Sequence, residues 1–147
     1  MFLGDVSVLS TLSRDWIDKA ATTGRYGDHQ WSKKIKVPVT TMDALIAEHG
    51  MPAFCKIDVE GFEVQVLKGL SKAIKAVSFE LISETADNAI ACIDHLQKLG
   101  MYEYNYSHLE SMKLDLPAWV SAAEIKAKIN SERQGTDLGG DIYARLK

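Results

Sequence analysis

The 147-residue sequence has few of the features that mark specialised classes of protein. It contains two cysteines and three prolines, and no apolar run reaches the roughly 18 residues that a transmembrane helix needs. Cys55 and Cys92 lie far apart in apolar segments, so we expect free thiols in a reducing compartment rather than a disulfide, a redox pair or a zinc site. The N-terminus lacks the basic region of a signal peptide. These absences predict a soluble, cytoplasmic protein that makes no contact with a membrane.

An excess of positive charge is also missing. The chain has 17 basic and 20 acidic residues, spread along its length, which gives a formal net charge of −3. Binding a nucleic-acid backbone requires a concentrated positive field, so the composition argues against nucleic acid as a partner. The hydrophobic share of 46% and the charged share of 25% are those of an ordinary globular domain, and the length corresponds to one domain.

The sequence lacks the short motifs that bind phosphates or activate a nucleophile. It has no Gly-x-Gly-x-x-Gly turn, no Walker loop and no Gly-x-Ser-x-Gly elbow. The histidines do not follow a metal-binding spacing, and we expect no metal site. The four histidines are His29, His49, His95 and His108.

What the sequence does contain is an alternation of strand and helix patterns after an irregular start. Residues 1–36 form an irregular N-terminal segment with hints of one short helix, and residues 37–147 carry the regular pattern. Short apolar or alternating runs predict strands, and helical periodicity separates most of them. The predicted strands cover residues 53–59, 76–82, 101–107 and 141–147. This order indicates a parallel α/β fold.

Two smaller patterns indicate how parts of this fold are built. Thr40-x-x-Asp43 and Ser121-x-x-Glu124 are capping boxes, in which a hydroxyl and a carboxylate satisfy free backbone donors at the start of a helix. The alternating tyrosines of residues 101–107 are more typical of core filling, with hydroxyls that reach water, than of a stacking platform for an aromatic ligand.

The most informative chemical feature is the block KIDVEGFE at residues 56–63, where a buried strand leads into a helix through an acidic turn. Ligands of open α/β sheets bind outside the carboxyl ends of the strands, which makes Asp58 and Glu60 candidate site residues. A structural alternative explains the same residues. Glu60 and Glu63 favour the positive start of the following helix, and Lys56 forms an ion pair with Asp58 on the sheet surface.

Other candidates are more weakly indicated. Glu80 ends the strand at 76–82 and would lie beside Asp58 if the two strands are neighbours. It would then orient a substrate hydroxyl or bind a cofactor, or else pair with Lys56. His29 lies with Trp31 in a polar loop that contains glycine, where it is either a general base near pH 7 or an exposed loop histidine.

Four blocks of sequence stand out when taken together: VPVTTMDAL at 37–45, KIDVEGFEVQVLKG at 56–69, VSFE at 77–80 and GDIYA at 140–144. In this combination they resemble the C-terminal part of the FkbM-type methyltransferases. The resemblance implies S-adenosylmethionine as the cofactor and a Rossmann-like α/β fold. It also implies methyl transfer to a hydroxyl of a sugar or a secondary metabolite.

The resemblance also suggests roles for individual residues. Asp58, Glu60 and His29 are candidate catalytic residues, and Asp58 is in addition a candidate contact of the cofactor. Glu80 and Trp31 are candidate contacts of the small-molecule hydroxyl acceptor. A base or a carboxylate among them would remove the hydroxyl proton during methyl transfer.

On this resemblance, the predicted strands correspond to the fourth to seventh strands of a sheet with the order 3-2-1-4-5-7-6, in which the seventh strand, residues 141–146 here, is antiparallel. The glycine-rich turn and the ribose-binding acid of the first two strands have no counterpart here. We therefore expect the second half of a methyltransferase, which alone binds the cofactor weakly or not at all. Its 53–59 strand would associate with a missing N-terminal half or a second copy, unless residues 1–36 fold across the exposed edge. The alternative is a non-catalytic remnant or an interaction module of the same fold.

Overall fold

A mixed four-stranded sheet, with helices packed on one face, organises the chain. The structure is a computed structural model that describes residues 1–23, 26–133 and 138–147. Short 3-10 turns cover Ser7–Leu9 and Ser83–Thr85. Within the described residues, the strands and α-helices are β1 (Phe2–Leu3), α1 (Arg14–Thr23), β2 (Lys33–Lys34), α2 (Met42–His49), β3 (Cys55–Ile57), α3 (Glu63–Lys68), β4 (Ala76–Ile82), α4 (Ala86–Leu99), β5 (Tyr102–His108), α5 (Ala122–Glu132) and β6 (Gly139–Leu146).

The strands of the main sheet lie in the order β3-β4-β6-β5. β3 is parallel to β4, with Ile57 opposite Phe79, whereas β6 is antiparallel to both β4 and β5. The prediction of an α/β fold is confirmed. The alternation of strands and helices indicated a parallel sheet, and this is wrong for β6, which lies antiparallel between β4 and β5. The resemblance implied an antiparallel last strand at that place. β3 is shorter than the predicted 53–59, since the chain turns away beyond Ile57 and adopts positive φ at Glu60 and Gly61.

The main core lies between one face of the sheet and the helices α3, α4 and α5. On β4, Val77, Phe79 and Leu81 point into this core and are at most 1% exposed. Successive side chains of a strand point to opposite faces, so Ser78 and Glu80 lie on the other face. The helices contribute apolar residues at helical spacing, which are Leu67, Ala89, Ile93, Leu96, Ile125 and Ile129.

The alternating tyrosines of β5 are part of this core. Tyr102, Tyr104 and Tyr106 are all buried, which confirms the prediction of core filling. The expectation that their hydroxyls reach water is wrong for all three, because the side chains are buried and buried hydroxyls need partners inside the protein. The Tyr102 hydroxyl donates to the carbonyl of Ile74 at 2.6 Å, and that of Tyr106 donates to the carbonyl of Gly139 at 2.5 Å.

The two predicted capping boxes have different outcomes. The box at α5 is confirmed, because the Ser121 hydroxyl accepts from the Glu124 amide and the Glu124 carboxylate accepts from the Ser121 amide. The box at α2 is wrong by one residue, since Thr41 is the N-cap and its hydroxyl accepts from the Ala44 amide at 3.2 Å. The Asp43 carboxylate accepts instead from the Ser71 amide at 2.9 Å, which connects α2 to the loop after α3.

The N-terminal segment contains more regular structure than its sequence suggests. β1 and β2 form a two-stranded antiparallel pair, and α1 lies between them in the chain. Trp16, Ile17 and Ala20 of α1 form a second core cluster with Ile82 at the end of β4. Strands of two residues are too short to give a recognisable period, which explains why the sequence pattern indicated only the helix.

The two cysteines are free, as predicted, with Cys92 buried in the core and Cys55 partly buried on β3. Burial raises the pKa of the Cys55 thiol. In the part of the chain that the structure describes, no α-helix combines the length and the apolar character needed to cross a bilayer.

Candidate functional site

The turn between β3 and α3 has an unusual backbone. Glu60 has a φ of 51° and Gly61 a φ of 82°, both in the left-handed region. Non-glycine residues adopt this region infrequently, and it is often found at functional sites. A Cβ atom on Gly61 would lie 2.5 Å from Cδ1 of Trp16, so the position also excludes a side chain on steric grounds. The turn therefore requires glycine at 61 and holds Glu60 in a strained conformation.

Side chains from two helices stabilise this turn. The Glu63 carboxylate of α3 accepts from the amides of Gly61 at 3.0 Å and Val59 at 3.4 Å. The side-chain amide of Asn88, on α4, donates to the carbonyl of Gly61 at 3.2 Å. Glu63 is only 2% exposed, and burial raises the pKa of its carboxyl group. Glu63 therefore stabilises the turn through hydrogen bonds to its backbone, and it also lies in the first turn of α3.

Three carboxyl groups meet at the carboxyl ends of β3 and β4. Asp58 and Glu60 follow β3, and Glu80 lies near the end of β4, which pairs directly with β3. One oxygen of each group lies within 4.8 Å of one oxygen of each of the others. We name these three residues the carboxylate cluster. Such a spacing suits a polar ligand or a cation held between the groups.

Burial strongly affects the ionisation of this cluster. Burial, reinforced by Asp58 and Glu63, raises the pKa of Glu60 to about 7. Burial, reinforced by the neighbouring carboxylates, raises the pKa of Glu80 to about 8. The Oε2 atom of Glu80 is buried and has no hydrogen-bond partner among the described residues. Near pH 7 the cluster therefore contains both a protonated carboxyl group and a group that exchanges its proton readily.

Lys56 supplies positive charge beside the cluster. Its Nζ atom lies 3.4 Å from Oδ2 of Asp58 and 3.2 Å from Oδ2 of Asp141. The ion pair between Lys56 and Asp58, which the sequence indicated as a structural alternative, is therefore present. Lys56 pairs with Asp141 rather than with Glu80, because β6 places Asp141 directly opposite Glu80 on β4.

A pocket of about 320 Å³ opens next to these groups. Asp58 and Glu80 line it, whereas Glu60 is not among its lining residues. Sequence reasoning missed Tyr26, Glu110 and Asp141, although the pairing of an antiparallel last strand with β4 would have located Asp141. The lining consists of Tyr26, Lys56, Asp58, Glu80, Ile82, Leu109, Glu110, Gly139, Gly140 and Asp141.

The structure does not bring His29 or Trp31 into this pocket. Nδ1 of His29 lies 2.9 Å from Oδ1 of Asp5, which gives the histidine a partner on the N-terminal segment. The indole of Trp31 donates to the carbonyl of Leu9 at 2.6 Å and packs against Trp16. The structure therefore does not bring either side chain together with the carboxylate cluster, and the roles of His29 and Trp31 stay predictions.

Comparison with known proteins identifies the family. The model of the methyltransferase FkbM domain matches residues 7–113, a range that includes β3, β4 and the turn between β3 and α3. No curated protein and no solved structure matches the chain. The matched range contains all three residues of the carboxylate cluster. The chain belongs to the FkbM methyltransferase domain family.

Proposed function

We propose that this chain binds a hydroxyl-bearing acceptor, a sugar or a secondary metabolite, for methylation by S-adenosylmethionine. The observation that carries the proposal is the carboxylate cluster beside a pocket at the carboxyl ends of β3 and β4. The strand order β3-β4-β6-β5, with β6 antiparallel, supports the assignment of these strands to positions 4-5-7-6 of a Rossmann-like methyltransferase sheet. The chain would then be the C-terminal half of that fold.

The described residues fit the cofactor only in part. When bound, S-adenosylmethionine supplies an electrophilic methyl group on a positively charged sulfur. Carboxylates such as Asp58 suit a positive charge, but the residues that line the pocket include no glycine-rich turn leading into a helix. We therefore assign the adenosine part of the cofactor to a second polypeptide segment, and we derive no step through the cofactor itself.

The carboxylate cluster is suited to handle the acceptor hydroxyl. Glu60 has a pKa of about 7, so a large fraction of it is deprotonated at neutral pH and able to accept the hydroxyl proton. Glu80 has a pKa of about 8, remains largely protonated, and can donate a hydrogen bond to an oxygen of the acceptor. Lys56 orients Asp58 through their ion pair.

Calorimetric titration tests the division of roles between this chain and a second segment. We expect the purified chain to bind S-adenosylmethionine weakly or not at all, and to bind it measurably when the segment that carries the glycine-rich turn is added. Tight, saturable binding to the chain alone would contradict the assignment of the adenosine site.

Substitution of the two glutamates of the turn tests the role of the cluster. In the restored complex, Glu60→Gln should lower methyl transfer about 100-fold or more, in the range for loss of a general base, with little change in stability. Glu63→Ala should instead lower stability by about 1–3 kcal/mol, because two backbone amides lose their acceptor. Glu48→Gln on the exposed surface of α2 is the matched control. Equal loss of activity with Glu48→Gln and Glu60→Gln would reject the proposal.

A second candidate function, an interaction module, is favoured by the free edge of β3. β3 pairs only with β4 among the described strands, and Phe54 beside it is 49% exposed. An unpaired edge next to apolar side chains favours association with another chain. Sedimentation should show self-association that Phe54→Lys reduces, whereas Met101→Lys, the same change at another exposed apolar side chain, should leave it unchanged. A monomer at high concentration would exclude this candidate.

A further inference from the structure

The N-terminal segment contacts the turn between β3 and α3 at two points. The Thr11 hydroxyl donates to the carbonyl of Glu60 at 2.7 Å, although 49 residues separate them in the chain. The indole of Trp16 packs against Gly61 so closely that no Cβ atom fits between them. Both contacts fall on the part of the turn that has positive φ. The N-terminal segment is therefore in direct contact with the backbone that carries the Glu60 carboxyl group.

Thr11 itself is held firmly. Its backbone exchanges two hydrogen bonds with Phe2, at 2.8 and 3.0 Å, and the residue is 1% exposed. Its hydroxyl accepts from the Ser13 amide at 2.8 Å. A hydroxyl has a single proton, so accepting from Ser13 leaves that proton for the carbonyl of Glu60. The direction of the hydrogen bond to Glu60 is thus fixed by contacts within the N-terminal segment.

The geometry points to Thr11 as a positioning residue for Glu60. We propose that the hydrogen bond from Thr11 holds the Glu60 peptide in its left-handed conformation, which directs the Glu60 side chain towards Asp58 and Glu80. Without that bond, the backbone would relax to a commoner conformation and the Glu60 carboxyl group would move towards water. The consequence for catalysis rests on the proposed function, in which Glu60 accepts the acceptor's proton.

The direct test is a titration of the Glu60 carboxyl group by carbon-detected NMR on the whole chain. Glu60→Gln assigns the signal by removing it. Thr11→Val keeps the shape of the side chain and removes the hydroxyl, and we expect it to lower the titration midpoint of Glu60 by about one pH unit or more as the group becomes hydrated. Thr11→Ser retains a hydroxyl and should restore the original midpoint.

Thr22→Val is the matched control, because the Thr22 hydroxyl donates within α1 to the carbonyl of Lys19 and is exposed. It should leave the midpoint of Glu60 unchanged. A midpoint unchanged in folded Thr11→Val, or lowered equally by Thr22→Val, would overturn the proposal.

A measurement on the unmodified chain covers the case in which Thr11→Val does not fold. Amide hydrogen exchange in low denaturant should show Gly61 losing protection together with α1, as one cooperative unit. Protection at Gly61 that outlasts the opening of α1 would also overturn the proposal. These readouts do not depend on methyl transfer. If Glu60→Gln leaves transfer intact while Thr11→Val shifts the titration, the proposed function fails and the positioning role stands.

Discussion

On β4, Phe79 and Glu80 are adjacent in sequence and lie on opposite faces of the same sheet. Phe79 is fully buried among apolar side chains from the strands and helices. Glu80 lies on the face where Asp58, Glu60 and Asp141 add three further carboxyl groups. Two buried polar atoms on this second face, Oγ of Ser78 and Oε2 of Glu80, have no hydrogen-bond partner among the described residues.

The two faces contribute differently: the apolar face stabilises the fold, and the polar face carries the groups suited to a ligand. Burial of large apolar side chains contributes about 1.5–3 kcal/mol each, so the face of Phe79 stabilises the fold. A buried polar atom without a partner costs about 1–3 kcal/mol, so the face of Glu80 carries local instability. Groups arranged in this way are typical of ligand sites, where a ligand supplies the missing partners. The sheet can tolerate the second face because the first is well packed.

The largest effect should come from the apolar face. Phe79→Ala removes a fully buried ring from the middle of β4 and leaves a cavity against α4, so we expect a loss of about 3–5 kcal/mol in the free energy of unfolding. Urea denaturation followed by circular dichroism measures it. Val39→Ala, at a side chain that is 76% exposed, is the control and should change little. A loss below about 1 kcal/mol for Phe79→Ala would show that this face does not dominate stability.

An intermediate effect is expected from the pH dependence of the polar face. The pKa of Glu80 rises from 4.5 to about 8 on folding, so the folded state retains a proton that the unfolded state loses. The contribution of Glu80 to stability should therefore be most favourable below about pH 4.5 and should fall as the pH rises to about 8. The slope is at most about 1.4 kcal/mol per pH unit for one group.

Glu80→Gln tests this origin of the pH dependence. The variant keeps the shape of the side chain and cannot ionise, so its stability should fall less between pH 5 and about pH 8. Glu60 contributes in the same direction over the range up to about pH 7, so part of the slope should remain. Urea denaturation across this range, with Glu48→Gln as the control, measures the difference. A slope identical in Glu80→Gln and the unmodified chain would place the ionisation elsewhere.

The apolar face was easier to predict from the sequence than the polar one. The periodic residues of α4 and the run of β4 correctly indicated helix, strand and core, because apolar spacing reports directly on burial. The alternating tyrosines of β5 were recognised as core for the same reason. Their hydroxyl partners were not, since these are backbone carbonyls distant in the chain.

Less of the candidate site followed from the sequence. Asp58, Glu60 and Glu80 were identified because they follow or end strands, and the pairing of β3 with β4 brought them together. Asp141 was missed because its place depends on the register of β6 on β4, which sets it opposite Glu80, and a strand order alone does not give the register. Thr11 was missed because a hydrogen bond across 49 residues leaves no local pattern. His29 was selected for its chemistry and its polar loop, and neither of these could indicate that its nearest partner in the structure is Asp5.

The smallest effect should come from the unpartnered hydroxyl of the polar face. Ser78→Ala removes a buried hydroxyl that has no hydrogen-bond partner among the described residues, so we expect stability to stay the same or to rise by about 1 kcal/mol. The matched control is Ser107→Ala, because Ser107 lies on β5 and on the same face of the sheet as Ser78. The Ser107 hydroxyl lies 3.3 Å from the Ser111 hydroxyl, so its loss should lower stability by about 0.5–1.5 kcal/mol. Urea denaturation of both variants measures the contrast. If Ser78→Ala destabilises the chain as much as Ser107→Ala does, the Ser78 hydroxyl has a partner in solution. Water or a ligand would then supply that partner, and Oε2 of Glu80 would be the one atom of the two that lacks a hydrogen bond.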